Sequence, residues 1–162
     1  MSVNWLDFVI VLIMVFSVVI GIKRGFGRTV FDFAAVLLAL RVADFAYLPL
    51  SKSIPLSVDK QANLAWSYAM VFVVAGIILW FIGKTAYDTT LISLDTFDPP
   101  LGALLGFAIA IVIGHVFSTV VFLTTVDKAG VSQLMQQSYM GFEFLNFPTY
   151  HNVIYSLKHL GE

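Results

Sequence analysis

Cysteine is absent from this 162-residue chain, which removes disulfides, thiolate metal sites and thiol nucleophiles. Charge is scarce as well. Charged residues make up 12%, against about 25% in ordinary soluble domains. Nine Lys and Arg against ten Asp and Glu leave a formal net charge of −1, with no basic block. Binding to nucleic acid therefore has no electrostatic footprint. Catalytic signatures are missing too: there is no Gly-x-Ser-x-Gly elbow, no His-Glu-x-x-His and no phosphate-binding Gly-rich loop. Ser17, Ser67, Ser93 and Ser118 have no adjacent base in sequence, although folding can bring one in. His151 and His159 have no carboxylate between them. These absences lead us to expect no enzymatic activity, no metal and no cofactor.

What is present is apolar. Hydrophobic residues reach 59%, against about 45–50% in soluble domains, and mean hydropathy is +0.91. A soluble chain of this size could not hide so much apolar surface. Four apolar stretches run near 5–22, 26–50, 64–83 and 101–123. Each meets or approaches the roughly 20 helical residues that cross a hydrocarbon core about 30 Å thick. The expected fold is an all-α membrane protein: a four-transmembrane-helix bundle over 1–126, then an amphipathic helical tail over 127–162. The lipid bilayer is its first partner. Asp7 precedes the first apolar core, and Lys23, Arg24 and Arg28 follow it. A signal peptide has the opposite charge order, so this segment reads as a retained helix.

Lys23-Arg24-Gly25 makes a tight positive turn between the first two spans, with Gly supplying the permissive backbone. Asp98 before Pro99-Pro100 reads as an acidic N-cap with proline in the first turn. In the tail, Val131, Leu134, Met135, Tyr139 and Phe142 fall at helical spacing, and Tyr150, Val153, Ile154 and Leu157 repeat it. Two placements fit: aromatic side inward at the membrane surface, or packed on the bundle. Basic residues favour the cytoplasmic side. Lys23, Arg24, Arg28 and Lys84 lie on one face, against Lys52, Lys60 and Lys128 on the other. Both termini are therefore expected outside.

Charges within a span need partners or water, since each costs about 2.5–3.5 kcal/mol at the bilayer centre on insertion scales. Arg28 and Asp32 sit at i,i+4 and Arg41 and Asp44 at i,i+3, so each pair could neutralise itself. A second pairing follows from the hairpin. Asp7 and Arg41 each lie seventeen residues from Arg24, hence roughly 25 Å from the turn at about 1.5 Å per residue. An Asp7–Arg41 bridge would clamp spans one and two. Lining a polar pathway is the other use for these charges. His115, lone in span four, is expected to hydrogen-bond a neighbouring helix. Gly102, Gly106, Ala110, Gly114 and Ser118 recur every four residues, a small-residue stripe that lets two backbones approach closely. Ala69, Gly76 and Gly83 echo it in span three. The stripe could serve contacts within one chain or between two.

The opening WLDFVIVLIMVFSVVIGIKRGFGRTVFDF resembles the start of the colicin V production protein (CvpA) family. The matching positions are Asp7, Arg24, Gly25, Phe26 and Arg28. Before its last span the family commonly shows Asp-Arg-x-x-Gly-x-x-x-Gly; here Asp98, Gly102 and Gly106 match, Pro99 stands in place of the arginine, and Ala110 takes a further glycine position. The resemblance covers roughly 4–125. It implies a bacterial inner-membrane protein linked to colicin V production or export and to envelope maintenance. Some relatives carry the unit fused to an extracytoplasmic serine protease, in agreement with an outer C-terminus, and none ascribes catalysis to the membrane unit. The reading that follows is a non-enzymatic membrane protein acting by self-association or with a membrane or envelope partner. A small oligomeric channel or transporter lined by Arg28, Asp32, Arg41 and Asp44 is the second reading, and a scaffold that docks a soluble partner on its tail is the third.

Overall fold

The computed structural model describes residues 4–90, 97–126 and 132–148. All elements among them are helical: α1 (Trp5–Ser53), α2 (Lys60–Thr90), α3 (Asp98–Thr125), α4 (Gln133–Gln137) and α5 (Tyr139–Asn146). Three of these, α1, α2 and α3, are long and apolar enough to cross a membrane. Where the sequence predicts spans one and two, the chain forms one 49-residue element with non-helical backbone at Gly25 (φ 73°, ψ 175°). That positive φ is open to glycine and strained for other residues. Val131 and the tail beyond residue 148, with His151 and His159, lie outside the described residues, as do Ser93 and Lys128.

Residues on either side of Gly25 meet the same neighbours. The Trp5 ring lies 6.5 Å from that of Phe117, while Ala43 packs with Val116 and Tyr68. Were α1 straight, Trp5 and Ala43 would be about 57 Å apart. Residues 5–24 run antiparallel to α3, with Ser17 at Gly106 and Gly21 at Gly102. Residues 26–53 run antiparallel to α2, with Phe31 at Gly83 and Ala39 at Gly76. We call the end at Gly25 the turn end and the opposite one the tail end.

Burial is inverted relative to a soluble core. Ala35, Ala39, Ala43, Ala65 and Ala110 are buried, whereas Phe8, Phe16, Phe45, Ile77, Ile78 and Phe81 stand exposed. Small residues inside permit close helix approach, and large apolar ones outside suit lipid. The stripe is used within the chain. Gly102, Gly106, Ala110, Gly114 and Ser118 are all buried; the first two take the backbone of residues 5–24, and Gly114 takes the Phe144 ring.

The tail packs onto the bundle with only the first half of the predicted face: Leu134 and Met135 turn inward, and the second half does not. Met135, Ser138, Gly141 and Phe144 are buried, whereas Tyr139 and Phe142 are 61% and 46% exposed. The helix breaks at Ser138, whose Oγ accepts the Gly141 N–H and starts α5 anew. That restart resets the phase, so one periodicity does not carry across. At the head of α3 the cap position belongs to Phe97, which leaves the Asp98 carboxylate able to reach another helix.

Candidate functional site

The polar side chains gather at the two ends. At the turn end, the Gly25 break strands the first N–H groups of residues 26–53, which have no intrahelical acceptor. The Phe26 N–H donates to Asp98 Oδ1 at 3.1 Å. Thr29 Oγ1 donates to the Gly25 carbonyl at 2.5 Å. A Cβ at Gly25 would collide with the Asp98 carboxylate, and one at Gly102 with Gly21 and Gly25 backbone. Arg24, Gly25, Phe26, Asp98 and Gly102, read from two distant sequence segments, thus meet in one place.

Here lies the one ion pair among the described residues, Arg24 Nη1 to Asp32 Oδ2 at 2.6 Å. Both residues line a cleft of about 200 Å³. Ser17 and Ile20 line it before the turn, Val36 after it, with Trp80 from α2 and Ile109 and Ile113 from α3.

The local pairs expected along span two do not form. Asp32 takes Arg24 rather than Arg28, because the hairpin returns Arg24 to its face. Asp44 accepts the Tyr68 hydroxyl at 3.1 Å, and Arg41 is exposed. Of the four span-two charges, Asp32 alone lines the cleft between helices.

The Asp7–Arg41 bridge is also absent. Equal depth does not fix which way a side chain faces, and Asp7 faces the tail. Its Oδ1 accepts Ser138 Oγ at 2.6 Å and the Met140 N–H at 2.9 Å. Its Oδ2 accepts the Asn4 N–H at 3.2 Å. The carboxylate sits at the N-terminus of α5, where helix dipole and free N–H groups both favour an anion. The C-terminus of α5 meets His115. Its Nδ1 lies 2.8 Å from the Phe144 carbonyl; a carbonyl only accepts, so Nδ1 carries the proton. The His115 ring stacks on Phe147 with centroids 5.4 Å apart. Phe147 holds a left-handed backbone (φ 49°), sparse for a non-glycine residue. His115 thus bonds a neighbouring helix, as expected, and that helix is α5. Asp7 and His115 hold its two ends.

Sequence reasoning missed Ser138, Thr29, Tyr68, Gly141 and Phe144. The signal within reach was the pair Ser132 and Ser138, each an N-cap directly before a helix. What their partners would be was not encoded locally.

An all-helical chain with small residues inside, an apolar girdle outside and polar groups at its ends is a membrane protein. It belongs to the colicin V production protein family, whose match covers residues 6–146. That match runs through α4 and α5, past residue 125, where the resemblance visible in the motifs ends. No curated protein and no solved structure matches the chain.

Proposed function

We propose that this chain serves colicin V production as a non-enzymatic protein of the bacterial inner membrane, with four crossings and a role in toxin export and envelope maintenance. The observation that carries the reading is the reversal at Gly25, which returns Ala43 to the α3 level that Trp5 also occupies. On this reading α1 supplies two crossings, and α2 and α3 supply one each. The turn end, which carries Lys23, Arg24, Arg28 and Lys84, then lies on the cytoplasmic side. The Asp7–Ser138 bond supports an N-terminus and tail on the same, outer side. The chain works by assembling with itself or with an envelope protein through its lipid-facing surface.

One complementation experiment tests this. In a colicin V-producing host lacking its own family member, the chain should restore toxin in the medium. Gly25→Leu, which cannot make the turn, should not. Normal membrane levels of the wild-type chain without restored toxin would overturn the proposal.

A further inference from the structure

Arg24 has a cheaper place to be. It lies one residue before the turn, beside an exposed Lys23, and an arginine near a helix end normally extends toward water and headgroups. Instead its guanidinium turns into the cleft and pairs with Asp32, their side chains 34% and 14% exposed. Apolar side chains, Ile20, Val36, Trp80 and Ile113 among them, make most of the remaining wall. Ile20 is 45% exposed, so one rim of the cleft opens on the outer surface of the bundle.

A lone anion that captured Arg24 would leave Asp32 sheltered and without a counter-charge, which is strongly unfavourable. A lone cation on Asp32 would strand Arg24 in the same way. A zwitterion replaces both partners at once: its anion takes the guanidinium, its ammonium takes the carboxylate, and the cleft stays neutral. A volume of about 200 Å³ holds several waters and suits a small headgroup, leaving acyl chains among neighbouring lipids. We propose that this cleft is a binding site for a zwitterionic phospholipid with a primary ammonium, whose ethanolamine phosphate group opens and replaces the Arg24–Asp32 bond. The site requires the hairpin but not the role in toxin export.

Native mass spectrometry of the full chain from mixed bilayers of phosphatidylethanolamine and phosphatidylglycerol tests it. The wild type should retain phosphatidylethanolamine over phosphatidylglycerol by about tenfold. Asp32→Asn removes the ammonium partner and frees Arg24, so the preference should reverse toward phosphatidylglycerol. Arg24→Gln should lose both lipids. Ile20→Trp, which narrows the rim without touching the ion pair, should lower retention while helicity and mass stay normal. Equal retention of both lipids by the wild type, or an unchanged preference in Asp32→Asn, would overturn the proposal. So would displacement of the lipid by millimolar free amino acids, which would make the cleft a soluble-zwitterion site. Toxin complementation that survives in Asp32→Asn while lipid preference changes would separate this site from the proposed function.

Discussion

At the turn end, Asp98 at the head of α3 reaches the Phe26 N–H; at the tail end, Asp7 in the first turn of α1 reaches the Met140 N–H. Each aspartate satisfies a donor that a helix start leaves open, and each does so across to another segment. Their consequences differ. The donor beside Asp98 exists because the chain reverses at Gly25, so that bond belongs to the route of the whole bundle. The donor beside Asp7 belongs to α5, eight residues long, so that bond decides where a short helix lies. Both bonds are part-buried, so an N–H that loses its acceptor there is left largely unsatisfied.

The largest expected effect divides the small-residue stripe along the same line. A Cβ at Gly106 would run into the Ser17 carbonyl, which is backbone, whereas one at Gly114 meets the Phe144 ring. Gly106→Leu should therefore destabilise the fold by about 3 kcal/mol or more. Gly114→Leu should cost about 1–3 kcal/mol and act mainly by displacing α5. Reversible unfolding in mild detergent measures both. Equal losses would mean that the two halves of the stripe are not distinct.

Next come the aspartates themselves. Removing either acceptor leaves an unsatisfied N–H, worth about 1–3 kcal/mol. Asp98→Ala should lower the stability of every long helix. Asp7→Ala should speed hydrogen exchange over residues 133–146 and leave α2 unchanged. Exchange mapped by mass spectrometry reads both, and a uniform response to Asp7→Ala would erase the distinction between the ends.

The turn end was legible in the sequence, because its cues are local and chemically specific. Lys23-Arg24-Gly25 announced the reversal, Asp98-Pro99-Pro100 announced a helix start, and the four-residue recurrence from Gly102 announced a close crossing. What sequence could not supply was the partner. Asp98 stands where it could cap its own helix and caps another; Asp32 has Arg28 within reach at i,i+4 and takes Arg24. The tail end was poorly legible for a second reason. Depth along a span can be counted at a fixed rise per residue, and Asp7 and Arg41 do share one depth, but azimuth depends on how neighbouring helices are arranged. The apolar periodicity of the tail holds through Met135 and misleads beyond it, because the Ser138 break interrupts it.

His115 sharpens the tail-end picture. His115→Leu removes the donor to the Phe144 carbonyl and the face on which Phe147 stacks. A loss of about 1–2 kcal/mol is expected, with faster exchange at residues 144–148 and little change around Asp7. His115→Gln keeps a donor and should recover part of the loss. If Gln recovers nothing, the ring contact rather than the hydrogen bond holds this end of α5.

The smallest effect tests whether charge itself, apart from its partners, separates the ends. Arg41 is exposed and has no ion pair among the described residues, while Asp44 is exposed and accepts one bond from Tyr68. Arg41→Gln should change stability by no more than about 0.5 kcal/mol, the range for surface substitutions. Asp44→Asn keeps an acceptor for the Tyr68 hydroxyl and should do the same. Both sit toward the tail end, where they can reach interfacial water, so neutralising them removes little. If either variant falls as far as Asp7→Ala, that charge has a partner beyond the described residues, and the tail end is more than α4 and α5.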